Sequence, residues 1–234
     1  MLNIKRVFIV LLLLVIFLPT SFAQKINQLD VNGKRHGIWK KFYNNKRIRY
    51  EGKFNHGKEV GVFKFYDVTH SNFPTAIKEF SSGSKSAYVK FYTVKGKLRS
   101  EGKMIGRERS GKWKYYFPTG KIFSEEFYKN GKLDGEIKNY YSNGKLTSIS
   151  NYIQGKKNGA FKKFSNEGVL IEQVLYKNDV LEGLAKYFDL KGNIKETGEY
   201  KAGKRFGKWE YYIDGEVVSE KEKKKALREN KGGE

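Results

Sequence analysis

The chain has 234 residues, no cysteine, and 47 basic against 25 acidic residues, which gives a formal net charge of +22. The missing cysteines exclude disulfides, thiol chemistry and cysteine-based metal sites. A charge of this sign favours anionic partners through long-range attraction and carries no information about the fold.

The first 23 residues have the pattern of a secretory signal peptide. Lys5 and Arg6 give a positive start, an apolar run covers residues 7–18, and small residues follow up to Ala23. This order of segments predicts export and cleavage after Ala23, and hence a periplasmic, cell-surface or secreted protein. The alternative is an uncleaved membrane anchor, although the run is short against the ~20 residues that span a bilayer.

Export changes the partner that the charge favours. Removing the signal takes away two basic and no acidic residues, so the mature charge is +20 (45 − 25). Nucleic acid is the common partner of such a charge, but it is not expected for an exported chain. We expect an anionic envelope component, such as lipid head groups or a wall polymer, or a protein partner. The oligomeric state stays open.

A repeat of 24 residues organises the chain after a lead-in at 24–32. The glycine columns are Gly111, Gly135, Gly159, Gly183 and Gly207, and Gly96, Gly120, Gly144, Gly168 and Gly192. Between them runs an apolar column: Trp113, Ile137, Phe161, Ala185 and Trp209. A period of this length with glycine and apolar residues in register predicts an array of supersecondary units, which we place at 33–218.

Each unit is predicted to be a β-hairpin. The segments between glycines are five to eight residues long and rich in β-branched and aromatic residues. Glycines supply positive φ at the turns, and Asp179, where other units have glycine, should also adopt it. Eight units then give an all-β, elongated, single antiparallel meander sheet of about 16 strands, which must twist. Trp113 and Tyr116 point to opposite faces unless a β-bulge lies between them, and both arrangements stay open.

Two segments depart from the repeat. Residues 67–86 contain a two-residue insertion and are predicted to be a longer, exposed loop. The loop is either a tolerated insertion or a binding loop at one edge of the array. Residues 219–234 are dominated by charge and are predicted to be a frayed helix that passes into disorder.

The units resemble the MORN-repeat variant of bacteria. The resemblance rests on YEGKFNHGKEVG (50–61), GKWKYYFPTGK (111–121) and ETGEYKAGKRFGKWEYY (196–212). It implies an elongated sheet of hairpins used for scaffolding, protein contacts or membrane association, and bacterial chains of this type are often labelled antitoxin-like. The glutamate of the family's opening motif is replaced by Ile149, Gln173 and Thr197 in three units.

A column of lysines forms the candidate binding site. Each lysine stands two residues before an aromatic position, so both side chains should share one strand face. The candidate residues are Lys90, Lys114, Lys138, Lys162 and Lys186, with Tyr92, Tyr116, Tyr140, Phe164 and Phe188; Lys40 and Lys64 extend the column. Such a row would bind a linear polyanion or an anionic bilayer at around 1 kcal/mol per lysine. Protection of exposed strands against aggregation is the alternative explanation.

No catalytic or cofactor site is expected. His36 and His56, in neighbouring units, should lie ~10 Å apart if each unit adds two strands, and no regular carboxylate accompanies them, so no metal site is predicted. We therefore expect an exported, non-enzymatic binding scaffold. An antitoxin or immunity protein that neutralises a toxin by contact is the alternative.

Overall fold

The computed structural model describes residues 25–81 and 85–229, so the predicted signal peptide lies outside the described residues. In these ranges the chain forms nineteen β-strands and one helix, α1 (Glu220–Glu229). The strands are β1 (Gln28–Leu29), β2 (Arg35–Phe42), β3 (Ile48–Asn55), β4 (Lys58–Tyr66), β5 (Pro74–Phe80), β6 (Ser86–Tyr92), β7 (Leu98–Ile105), β8 (Glu108–Tyr116), β9 (Ile122–Lys129), β10 (Lys132–Leu133), β11 (Gly135–Tyr140), β12 (Leu146–Ile153), β13 (Lys156–Phe164), β14 (Leu170–Lys177), β15 (Val180–Leu181), β16 (Gly183–Phe188), β17 (Ile194–Lys201), β18 (Lys204–Ile213) and β19 (Glu216–Val218). No helix in these ranges has the length and apolar character needed to cross a bilayer.

The strands form a single open antiparallel meander, as the repeat predicts. Each strand pairs with its neighbours in the chain. Both β10 and β11 pair with β9, and both β15 and β16 pair with β14, so each of these pairs is one interrupted strand. The prediction of an all-β array of hairpin repeats is therefore confirmed.

Two kinds of turn alternate along the meander. The first uses two consecutive residues with positive φ, such as Asn130 (51°) and Gly131 (75°), as type I′ hairpins require. Asp179 adopts positive φ (69°) in this turn, as expected. The second kind of turn is closed by a hydrogen bond from the N–H of a glycine with positive φ. For example, the Gly120 N–H donates to the Phe117 carbonyl at 2.9 Å.

Ala202 is the least suitable residue in the first kind of turn. It has a φ of 49°, where two other units have Asn130 and Asn178, and a left-handed non-glycine residue costs about 1–2 kcal/mol. Ala202→Asn should therefore raise the free energy of unfolding by about 1 kcal/mol, because asparagine tolerates this region. Urea denaturation measures the change. Ala202→Val is the opposite control, and a gain with valine would contradict the explanation.

The second glycine of the predicted G-K-x-x-G turn lies within a strand, not in the turn. On β7, Gly102 faces Trp113 while Lys103 faces Ser110, so Gly111 and Lys112 have no partner on this side. Gly111 has a φ of 67° there. This glycine column therefore marks β-bulges, which bend the strand and let the long ribbon coil.

Residues 67–86, predicted as a loop, contain the whole of β5. Thr75, Ile77 and Phe80 are residues that favour strands, and Pro74 occupies the first position, where proline is tolerated. Tyr66 pairs with Pro74, eight residues later, whereas Tyr92 pairs with Leu98, six residues later. The two inserted residues (8 − 6) therefore belong to the turn between β4 and β5.

The two ends of the sheet carry added elements. At the start, β1 comes from the lead-in, and its residue Gln28 pairs with His36 of β2. At the other end, Ser219 caps α1: its hydroxyl oxygen accepts from the Glu222 N–H at 3.3 Å, and its own N–H donates to the Glu222 carboxylate at 2.7 Å. Lys223 of α1 forms an ion pair with the buried Glu196. The helix is thus tied to the last strands.

The sheet has two chemically distinct faces. The core face carries the buried Phe63, Val89, Trp113 and Val174. The opposite face, here called the lysine face, carries the predicted lysines and the residues directly across from them. Trp113 contacts Tyr115 on the core face at 6.3 Å between ring centroids, whereas Tyr116 bonds to Glu101 on the lysine face. Trp113 and Tyr116 thus point to opposite faces, which resolves the open question.

Candidate binding face

The predicted lysines and aromatic residues share the lysine face. Lys114 stands across from both Glu101 and Glu125. Tyr116, two residues later, donates its hydroxyl to Glu101, and Tyr140 donates to Glu125 at 3.1 Å. Strand alternation places Tyr92, Phe164 and Phe188 on this face in the same way.

The lysine row is interleaved with a second row that the sequence pattern did not reveal. Read across the strands, the central residues of the lysine face are Lys40, Glu51, Lys64, Ile77, Lys90, Glu101, Lys114, Glu125, Lys138, Ile149, Lys162, Gln173, Lys186, Thr197 and Glu210. Each lysine from Lys64 to Lys186 thus lies between two residues of the family's opening-motif column, and Lys40 has one such neighbour. Whether a lysine is neutralised depends on those two neighbours.

The first five lysines of the row have carboxylate neighbours. Glu51 accepts ion pairs from Lys40 at 3.4 Å and Lys64 at 3.7 Å. Lys90 lies 3.9 Å from Glu101, on the strand that also faces Lys114. Lys138 lies 2.8 Å from Glu136 in its own strand. This part of the face is a ladder of lysines and glutamates, interrupted at Ile77, and not a row of free ammonium groups.

Lys162 and Lys186 have no such neighbours. Lys162 stands between Ile149 and Gln173, and Lys186 stands between Gln173 and Thr197. Both lysines are half-buried, and no ion pair within the described residues involves either of them. We call these five residues the C-terminal patch. It is the part of the face where positive charge is uncompensated.

A scan against family models decides the family. The MORN repeat variant model matches residues 35–56, 109–130, 133–154, 157–178 and 181–202. The chain belongs to the MORN repeat variant family. The last four matches follow each other at the 24-residue spacing of the sequence columns.

Other comparisons add little to the MORN assignment. No curated protein matches the chain. Among solved structures, it is similar to a mutant of S. aureus TarM in complex with fondaparinux, alpha-GlcNAc-glycerol and UDP (16% identity, TM-score 0.32, 42% of this chain and 19% of that one). A second TarM structure gives 15% identity and a TM-score of 0.32 over 44% and 20% of the chains. A TcdB2-TccC3-Cdc42 structure gives 12% and 0.21 over 79% and 12%. The chain thus spans about a fifth of TarM.

The MORN opening glycine has a steric role in this structure. Gly52, Gly102 and Gly198 lie under the rings of Phe63, Trp113 and Trp209 on the neighbouring strand. A Cβ atom at Gly102 would lie 2.5 Å from the Trp113 ring, closer than real Cβ contacts. These glycines are therefore required by close packing and not by a turn.

Stacked cations cover the core-face rings, and sequence reasoning missed them. The Arg109 guanidinium lies 4.9 Å from the centroid of Trp113, and Arg205 lies 4.0 Å from that of Trp209. The signal was present, because a basic residue stands four positions before the ring in these MORN units. Such contacts stabilise by about 0.5–2 kcal/mol, so we assign these cations to packing.

The two histidines lie closer together than predicted. The ring centroids of His36 and His56 are 4.7 Å apart, because His56 sits in a turn that folds over β2. His56 Nδ1 also lies 2.6 Å from the Asp30 carboxylate. In the described ranges, no three His, Asp or Glu residues form a group that could hold a metal ion.

Hydrogen bonds to the MORN glutamates change their ionisation. Burial raises the pKa of Glu125, but hydrogen bonds from Lys112 and Tyr140 and the nearby lysine charges outweigh it and hold the pKa below its usual value. The pKa of Glu51 is lowered in the same way by Tyr66 and Lys40 against burial. Burial, with the bond to Glu51, raises the pKa of Tyr66 to about 12.

A pH dependence of stability follows from these shifts. A carboxylate with a lowered pKa in the folded state stabilises the fold above its unfolded pKa of about 4.3, and this contribution is lost as the pH falls through the folded value. Glu51→Gln with Glu125→Gln should therefore lower the melting temperature at pH 7, and the gap to wild type should close below about pH 4. Thermal scans of the variant and the wild type at pH 7 and pH 3 test this. Glu167→Gln, at an exposed pair, is the control with little effect. A gap unchanged at pH 3 would contradict the explanation.

Proposed function

We propose that this chain is an exported, non-enzymatic scaffold whose lysine face binds an anionic envelope component or an acidic protein. The observation that carries the proposal is the open lysine face, where a lysine and an aromatic residue recur in seven successive units from Lys40 to Lys186, until Glu210 takes the position in β18. A repeat array offers similar chemistry at each step, which suits an extended ligand better than a reaction at a single point. Export rests on the sequence of the first 23 residues. N-terminal sequencing of the secreted or periplasmic protein should find Gln24 first.

A charge-reversal pair tests the binding face. Lys162→Glu with Lys186→Glu should weaken binding to anionic vesicles, purified wall polymer or acidic proteins, whichever binds the wild type. At around 1 kcal/mol per lysine, the loss should exceed about tenfold, and binding should weaken with salt.

The matched control changes the same number of charges on the opposite face. Lys41 and Lys163 are exposed and lie across from core-face residues Tyr50 and Ser148. Lys41→Glu with Lys163→Glu should reduce binding by less, since only the general charge changes. Equal losses of affinity for both double variants would show that binding depends only on net charge, and would overturn the assignment to the lysine face.

A further inference from the structure

The C-terminal patch differs from the rest of the lysine face by the residues across from its lysines. Earlier in the row, glutamates neutralise the lysines, and tyrosine hydroxyls bond to those glutamates. Ile149, Gln173 and Thr197 carry no carboxylate, while Lys162 and Lys186 stand across from them. Lys162 and Lys186 have no ion-pair partner in the described structure, so an external carboxylate or other anion can pair with them without displacing an internal one.

Mainly apolar side chains flank the two lysines, with one exposed carboxylate, Glu199, directly across from Leu184. Leu175 and Leu184 are 39% and 45% exposed. Leu175 stands two residues from Gln173 and Leu184 two residues from Lys186, so both lie on the lysine face. Half-buried Phe164 and Phe188 stand two residues after Lys162 and Lys186, on the same face. The patch is therefore a line of positive charge between two mainly apolar lines. A partner that fits it carries a line of acidic residues within an apolar surface.

The spacing of the lysines selects the shape of that partner. One strand separates β13 from β16, so the two lysine-bearing positions are about 9.6 Å apart at ~4.8 Å per strand. Seven residues of α-helix rise about 10.5 Å, which nearly equals this step. Same-face residues of an extended strand repeat at about 6.8 or 13.6 Å and do not match. A helix laid across the strands can therefore present one acidic residue to each lysine.

A second copy of this chain does not fit the patch. The mature chain carries a charge of +20 (45 − 25), and its own helix α1 contains five basic against three acidic residues. Like charges would face each other in such a contact. Charge complementarity thus requires a different, acidic partner.

We infer that the C-terminal patch is a docking site for an amphipathic α-helix of a partner protein, with acidic residues at seven-residue spacing within an apolar face. The inference rests on the proposed function and specifies the partner class of the same face. Lys162 and Lys186 bind the acidic residues, while Leu175, Leu184, Phe164 and Phe188 contact the apolar residues beside them.

A designed peptide tests the inference on the full mature chain. The probe is a fluorescent 21-residue helical peptide with glutamate at every seventh position of a leucine-rich face, and its control is a permuted peptide of the same composition. The seven-spaced peptide should bind about tenfold more tightly in fluorescence anisotropy. Lys162→Glu should weaken it about tenfold, and Lys163→Glu, at the adjacent position on the other face, less than about twofold.

Two further measurements separate loss of binding from loss of folding. Circular dichroism confirms folding, and Lys186→Gln provides a second, milder variant with an expected loss of several-fold. Equal binding of both peptides, or equal losses for Lys162→Glu and Lys163→Glu, would overturn the inference. Binding to phosphatidylglycerol vesicles that depends on Lys162, without binding of the peptide, would also overturn it and leave the proposed function standing. If neither probe nor wall polymer binds, both fail.

Discussion

Replacing Trp113 by alanine should lower the free energy of unfolding by about 3–5 kcal/mol, the largest effect expected of a single substitution in this chain. The Trp113 ring is fully buried although it lies on a single sheet, because Val89, Tyr115, Tyr128 and Arg109 enclose it. Its indole N–H donates to the Lys103 carbonyl at 3.0 Å. Alanine would remove both the packing and the partner of that carbonyl.

Trp209 provides the matched control in the same repeat position. Its ring is half-buried near the end of the array, and its buried indole nitrogen has no hydrogen-bond partner in the described structure. Trp209→Ala should therefore have a smaller effect, and Trp209→Phe should be close to neutral. Because repeats can unfold separately, hydrogen exchange of β7 and β8 should accompany the denaturation curve. Equal losses at the two tryptophans would contradict the packing explanation.

Gly102→Ala should lower the free energy of unfolding by about 1–3 kcal/mol, as overpacking in a close-packed interior does. The backbone of Gly102 does not require glycine, since its φ is not positive. The added methyl group would meet the Trp113 ring at 2.5 Å, and that ring is too enclosed to move freely.

A double-mutant cycle isolates this contact. Gly102→Ala combined with Trp113→Val should lose less than the sum of the single losses, because valine leaves room for the methyl group. Ser150→Ala is the control in the same column, where a Cβ atom is already present and Phe161 lies across. Strict additivity, or a loss at Ser150 as large as at Gly102, would contradict a steric role for the opening glycine.

The repeat allowed the fold to be predicted from local signals alone. Glycines at fixed spacing and the positive φ of Asp179 follow from backbone sterics within one unit, so they could be read without any partner strand. The hairpins followed from the same signals. The whole of β5 was missed because the two-residue insertion before it shifted the repeat spacing and its residues, PTAIKEF, do not alternate between apolar and polar.

The chemistry of the candidate face could not be predicted because it depends on the register between strands. The lysine column was visible, but only the pairing of Lys114 with Glu101 and Glu125, and of Lys162 with Ile149 and Gln173, separates neutralised from free lysines. A slip of one residue would reverse the faces. The contact of His36 with His56 was missed for a related reason, since a turn residue reaches back over an earlier strand.

Disulfide trapping in this cysteine-free chain tests that register most directly. Directly paired antiparallel residues have Cα atoms about 4.5–5.5 Å apart, within the range that a disulfide spans. Lys162→Cys with Gln173→Cys should cross-link on mild oxidation, seen as a disulfide by mass spectrometry. Lys163→Cys with Gln173→Cys should stay reduced, because the two side chains point to opposite faces. The reverse result would place Lys162 on the other face and remove the uncompensated patch.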